Sequence, residues 1–161
     1  MIWQTSSTSS AETERLGELL GKQLKGGEVI ELRSDLGGGK TTFIRGLVRG
    51  SGSQANVASP TFTLSRIYPG EKFDIHHFDF YRLNDVGILA DQLAESLSDS
   101  KAVVAVEWAD IVKDVLPPNH ISIKLSPVAH DSDERQINIK YPQSAEPIVA
   151  AVETEWQDSQ P

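Results

Sequence analysis

Three consecutive glycines, Gly37-Gly38-Gly39, stand between a short apolar stretch and a Lys-Thr-Thr triplet, and no other part of the chain constrains its fold as tightly. Ahead of them, Glu28-Val29-Ile30-Glu31-Leu32 is short and rich in β-branched and aliphatic residues, the pattern of a strand. Behind them, Lys40 to Val48 carries Phe43, Ile44 and Leu47 at helical spacing, and Gly50 and Gly52 punctuate its end. The order is therefore strand, glycine loop, helix. Glycines let a backbone turn sharply and come close to whatever it encloses. The first turn of the following helix leaves its N–H groups without intrahelical acceptors. A loop of this kind presents successive N–H groups and the positive end of a helix dipole to an anion.

The rest of the chain reads as alternating elements. The Ser/Thr-rich opening, Thr5 to Ser10, followed by Glu12, predicts an N-cap for a helix carrying Leu16, Leu19, Leu20 and Leu24 and ending near Gly26-Gly27. Thr61 to Tyr68 and Phe73 to Phe80 are expected as strands joined by a turn at Pro69-Gly70, and Asp85 to Leu97 as a helix. Ala102-Val103-Val104-Ala105-Val106 is an unbroken apolar run, as a strand covered on both faces requires. Ile121 to Leu125 and Arg135 to Tyr141 are two further strands. From Pro142 the chain turns polar and acidic, so residues 142–161 are expected as a flexible or loosely docked tail behind a single domain spanning 1–141, with Val149 to Val152 a short docking helix. On this reading Trp3 and Trp156 lie in tails. The expected architecture is α/β: a P-loop NTPase-like three-layer fold with a central, mostly parallel sheet and helices on both faces.

Composition narrows the function classes. No cysteine is present among the 161 residues, which excludes disulfides, thiolate metal sites and a cysteine nucleophile. A net charge of −8 disfavours strong direct binding to nucleic acid through a broad basic face, while leaving a single nucleotide within reach of backbone N–H groups and one lysine. No stretch approaches the roughly 20 apolar residues that span a bilayer, and Met1 to Ser10 lacks the pattern of a secretory signal, so a cytoplasmic location is expected.

In the glycine loop, Lys40 would reach β- and γ-phosphates and the Thr41 hydroxyl would ligate Mg²⁺, which makes Mg·ATP the expected ligand. The P-loop pattern is broken at its start, where Ser34 takes the place of the first glycine. The bland alternative is a Gly-rich turn that merely caps a helix. Hydrolysis would need acids as well. Glu107 follows the apolar run, where a magnesium-shell acid sits, and Asp79 follows Phe73 to Phe78 in a similar place; either could instead be a surface acid at a strand end.

With these residues in view, the chain resembles the TsaE family, the ATPase that assists bacterial tRNA threonylcarbamoyladenosine (t6A) biosynthesis. The resemblance rests on Asp35-Leu36-Gly37-Gly38-Gly39-Lys40-Thr41-Thr42, then Asn56-Val57-Ala58-Ser59-Pro60-Thr61-Phe62-Thr63-Leu64, then His77-Phe78-Asp79-Phe80-Tyr81-Arg82-Leu83, and finally Glu107-Trp108. It implies Leu36 to Thr42 as the ATP loop, Thr41 and Glu107 as Mg²⁺ ligands, and Asp79 as a catalytic or metal-shell acid. It implies a switch-like loop at Ser59-Pro60-Thr61, with Thr61 sensing the γ-phosphate. Trp108 would lie beside the nucleotide, and Ser10 to Thr13 and Arg135 towards the nucleoside. The implied role is an accessory one: ATP hydrolysis acting on a complex of the transferase subunit and its paralogous partner (TsaD and TsaB type), without transferring the group itself. Departures from the family pattern are Ser34 for glycine, Gly38 for alanine, and Ala109-Asp110 where Pro-Glu is more frequent.

The residues leave two rivals. A small P-loop kinase of a nucleotide or small molecule would need an acceptor pocket and usually an Arg-bearing lid, and no long Arg-rich insertion follows Lys40. A binding module with a vestigial site would not need Lys40, Thr41, Asp79 and Glu107 together. Tyr81-Arg82 could be a catalytic pair, and Arg82 is open to two further roles, an arginine finger in cis or a loop pin. Asp74, His76, His77 and Asp79 invite a metal cluster, but alternation along a strand sends them to opposite faces.

Overall fold

The computed structural model describes residues 1–35, 37–58, 64–81, 83–85 and 87–161. Its strands are β1 (Ile2–Ser7), β2 (Val29–Arg33), β3 (Ser65–Tyr68), β4 (Asp74–Asp79), β5 (Ala102–Glu107), β6 (Ile121–Pro127) and β7 (Arg135–Lys140). They form one seven-stranded sheet in the order β1-β7-β6-β2-β5-β4-β3. The inner strands β6, β2, β5 and β4 run parallel, whereas β3, β7 and β1 join antiparallel at the flanks. The helices are α1 (Ser10–Gln23), α2 (Lys40–Gly50), α3 (Ile88–Ser98) and α4 (Glu146–Ser159).

β5 shows why the apolar run had to be a central strand. Every residue of it is buried, with Val103 and Ala105 entering one core and Val104 and Val106 the other. The first core collects α1, α2 and α4 around Leu16, Leu20, Phe43, Leu47, Val149 and Trp156. The second holds Leu93 of α3 and the 3₁₀ turn at Ala109–Val112. Helices thus cover both faces of the sheet, giving three layers.

The α1–α2 contact fixes the glycine loop. α1 starts at Ser9, whose side chain accepts from Glu12 N at 3.2 Å while the Glu12 carboxylate accepts from Thr8 N at 2.6 Å. Gly17 and Gly46 let the two helices approach until backbone meets backbone, since a Cβ on Gly17 would run into Phe43 O and one on Gly46 into Glu14 O. Across the pair, Glu14 holds both Arg45, at 3.6 Å, and Arg49.

Two expectations are corrected. The chain beyond Pro142 is no loose tail: α4 buries Val149, Val152 and Trp156, and Trp156 Nε1 donates to Thr5 Oγ1 at 2.8 Å. Those three residues share one helical face, which acids at Glu153, Glu155 and Asp158 dilute in sequence. The segment before α1 is likewise more than a cap, because β1 pairs with β7 from Ile2↔Lys140 to Ser7↔Arg135 and puts Trp3 in the core. Of the strand expected over Thr61 to Tyr68, Ser65–Tyr68 is β3 and Thr61 to Thr63 lie outside the described residues. Among the described residues no helix is long and apolar enough to cross a membrane.

Candidate functional site

A cavity of about 330 Å³ opens where the carboxyl ends of β2, β4 and β5 meet the first turn of α2. Open α/β sheets place ligands at this edge. The parallel register brings Leu32 and Asp79 each opposite Glu107, so acids far apart in sequence become neighbours.

Gly37, Gly38 and Gly39 form the floor of the cavity. Gly39 N-caps α2 with φ 99°, a left-handed backbone that favours glycine. It offers no side-chain cap, and the first turn of α2 carries no acid. Phe43 N closes the first helical bond on Gly39 O at 2.9 Å, so the N–H groups of Lys40, Thr41 and Thr42 have no acceptor of their own in the helix. Together with the dipole, N–H groups left in this way suit an anion.

Lys40 lies over this floor and is 7% exposed. Its Nζ donates to Ser34 O at 2.9 Å, Ser34 Oγ at 3.1 Å and Asp35 O at 3.3 Å, and stands 4.5 Å from the centre of the Trp108 ring. Burial pushes the Lys40 amine below its ordinary value, against the opposing pull of Glu107, Asp79 and Asp35. A polyanion in the cavity would relieve that cost. Trp108 reaches Lys40 because its own backbone is left-handed, at φ 57°, a conformation rare for a bulky residue, and its ring also lies 4.9 Å from that of Tyr81.

The acids are held from behind. Glu107, 2% exposed, shares a 2.8 Å hydrogen bond through Oε2 with Nε2 of the fully buried His77. The Nδ1 atom of His77 has no hydrogen-bond partner among the described residues. An unprotonated Nδ1 is the less costly atom to leave unbonded, so Nε2 carries the hydrogen and donates to Glu107. Asp79 Oδ1 accepts from Tyr81 N at 3.0 Å. Arg135, on the far side, donates from Nε to Gly38 O at 2.9 Å and from Nη2 to Gly37 O at 3.3 Å. Thr13 Oγ1 donates to Ser9 O at 3.2 Å and therefore accepts from Ser7 Oγ at 2.6 Å.

The structure brings Ser10, Thr13, Gly37, Gly38, Gly39, Lys40, Thr41 and Thr42 to this one cavity with Asp79, Glu107, Trp108 and Arg135. Leu36, Thr61 with its neighbours Ser59 and Pro60, and Arg82 lie outside the described residues. Tyr81, the first member of the Tyr81-Arg82 pair, also lines the cavity, as does Asp133, which sits in a loop whose sequence carries no signal. His77 could have been found, since it shares a strand face with Asp79. The residues that invited a metal cluster have separate partners: Asp74 accepts from Gly70 N at 3.3 Å, and His76 Nδ1 is 2.7 Å from Ser96 Oγ.

Comparison with known proteins shows the family to which the chain belongs. Residues 7–137 match the family model described as threonylcarbamoyl adenosine biosynthesis protein TsaE. The chain is 35% identical over 128 residues to the tRNA threonylcarbamoyladenosine biosynthesis protein TsaE of Treponema pallidum, covering 80% of this chain and 94% of that one. It is 33% identical over 135 residues to the protein of the same name from Bacillus subtilis, covering 84% and 82%. A crystal structure of Bacillus subtilis YdiB superposes with a TM-score of 0.78 at 25% identity, over 96% of each chain. The chain belongs to the TsaE family.

Proposed function

We propose that this protein is a Mg²⁺-dependent P-loop ATPase that serves t6A biosynthesis in the cytoplasm as an accessory to the transferase machinery. The observation that carries the reading is the convergence, in one cavity, of an uncapped helix start, a buried lysine and two carboxylates at adjacent strand ends. An uncapped, acid-free helix start suits phosphates, and the lysine adds the charge a triphosphate requires. The donor set also suits magnesium, because Thr41, Glu107 and Asp79 offer hydroxyl and carboxylate oxygens, the hard ligands this ion takes.

Each residue then has a task. The α2 N–H groups hold the phosphate chain, and Lys40 turns from the loop carbonyls to the phosphate oxygens. Thr41 and Glu107 would hold Mg²⁺, which supplies Lewis-acid neutralisation of charge on those oxygens. His77 keeps one carboxylate oxygen of Glu107 turned back, so the other is free to face the cavity. Asp79 or Glu107 orients the attacking water. Trp108 walls the site beside Lys40, excluding water from the charge it covers.

The partners in this reading are a transferase subunit and its paralogue, of the TsaD and TsaB type. The test is reconstituted t6A formation over several turnovers with those subunits, tRNA and the threonylcarbamoyl donor. Product should exceed one equivalent of transferase only when this protein and ATP are both present. Equal turnover without it would refute the accessory role. ATP-dependent phosphorylation of a small-molecule acceptor would point to a kinase instead.

A further inference from the structure

Arg135 is placed by the sheet and spends itself on the glycine loop. It opens β7, where it pairs with Ser7 of β1 on one side and Pro127 of β6 on the other, so its backbone is held from both flanks. Its guanidinium donates to Gly38 O at 2.9 Å, Gly37 O at 3.3 Å and Glu134 O at 3.0 Å, and also to Ser132 O. These bonds occupy four of the five N–H donors an arginine has, every one on a backbone carbonyl.

The recipient needs such a clamp. Three glycines in succession have the largest conformational freedom of any residues, so an untied loop would lose much entropy on wrapping a ligand. In a trans peptide the C=O and the following N–H point in opposite directions. Drawing Gly38 O to the guanidinium therefore aims the Gly39 N–H away from Arg135, and drawing Gly37 O the same way aims Gly38 N–H at Asp35 O, which accepts it at 3.0 Å. The same hold fixes Gly39 in the left-handed conformation that starts α2, with Arg135 Nε 3.6 Å from where a Cβ on Gly39 would sit.

We propose that Arg135 is a positioning residue that pre-orders the phosphate loop, and that it does not read the nucleoside. The proposal rests on the P-loop reading above and assigns Arg135 differently from the nucleoside-side role the family resemblance implies. Its effect is on any ligand that carries the phosphate chain, with or without a base.

The test is calorimetric titration of wild type, Arg135→Ala and Arg135→Lys with MgATP and with magnesium tripolyphosphate, alongside hydrogen exchange of the peptide spanning Gly37 to Thr41. Arg135→Ala should weaken ATP and tripolyphosphate by the same factor, about tenfold or more, while exchange speeds up in that peptide and the melting temperature of β7 and its neighbours holds. Arg135→Lys keeps the charge but cannot grip both carbonyls, so it should behave like the alanine variant. Loss of ATP affinity with tripolyphosphate binding intact would overturn the proposal in favour of nucleoside recognition. Wild-type affinity in Arg135→Lys would overturn it in favour of simple charge attraction. If wild type binds neither ligand, the P-loop reading itself fails; if wild type binds both and Arg135→Ala is unchanged, only the positioning role fails.

Discussion

Ser34 and Gly38 are in close contact, and the structure makes what each position can hold depend on the other. A Cβ added to Gly38 would overlap Ser34 Oγ and lie 2.5 Å from Ser34 Cβ and 2.9 Å from Asp35 O. Carbon atoms pack at about 3.5–4.0 Å, so the clash is severe. The hydroxyl could rotate away, but Ser34 Cβ and the Asp35 carbonyl belong to the backbone frame. Rotation would also break the bond Ser34 Oγ donates to Asp35 O at 2.8 Å and the one it accepts from Lys40 Nζ at 3.1 Å. Gly38→Ala should therefore destabilise the protein by about 1–3 kcal/mol, the range for overpacking a tight site. Ser34→Gly alone loses one hydroxyl while Lys40 keeps Ser34 O and Asp35 O, so its cost should stay near 0.5–1.5 kcal/mol.

The double variant Ser34→Gly/Gly38→Ala removes the contacts with Ser34 Oγ and Cβ and leaves the new methyl only the Asp35 O contact at 2.9 Å, so it should recover much of the loss. The expected coupling is favourable, about 1–2 kcal/mol. Urea unfolding of all four proteins measures it, with equal slopes required before midpoints are compared. ATP titration of the same set should follow the same order, because the clash sits under Lys40. A Gly38→Ala variant as stable as wild type, or a double variant as unstable as the two singles added, would refute the reasoning that the two positions are coupled.

Other outcomes follow from the same geometry. Thr41→Ala and Glu107→Ala should each weaken the Mg²⁺ dependence of nucleotide binding, measured by titration at several Mg²⁺ concentrations, while Thr42→Ala should affect it less; Thr42→Ala as the worst of the three would put the loop in another register. Trp156→Ala should destabilise by about 3–5 kcal/mol in thermal or urea unfolding, since a buried indole and its bond to Thr5 are lost from under α4. The folded-state pKa of Lys40 is depressed from 10.5, so the unfolded chain holds that proton more firmly and stability should rise as pH climbs from the depressed value to 10.5. Lys40→Met should flatten that rise, and a pH series of unfolding midpoints reads it.

How much was legible beforehand depended on distance along the chain. The glycine loop, Lys40 and Thr41 form a contiguous unit, and β5 announced itself by apolar residues with no polar face. Asp79 and Glu107 could be placed at strand ends, but their adjacency is a matter of register between β4 and β5. The engagement of Arg135 with Gly37 and Gly38 spans almost a hundred residues, and nothing local to Arg135 states it. β1 and α4 were hidden for a different reason. Residues 2–7 place only Trp3 and Ser7 in the interior, and α4 sets three buried residues among acids, so the pattern supports no more than a short docking helix at Val149 to Val152 and shows neither β1 nor the full length of α4. They stabilise each other through Trp156 and Thr5, a tertiary effect that no window of sequence contains.

The central claim is that this cavity binds MgATP through the loop and Lys40, and calorimetry on wild type and Lys40→Ala tests it most directly. Wild type should bind ATP saturably and more tightly with Mg²⁺ than without. Lys40→Ala, still folded by circular dichroism, should lose about 1.5–3 kcal/mol of binding free energy, the contribution of a charge-assisted contact to phosphate. An unchanged dissociation constant in Lys40→Ala, or no ATP binding by the wild type, would contradict the account.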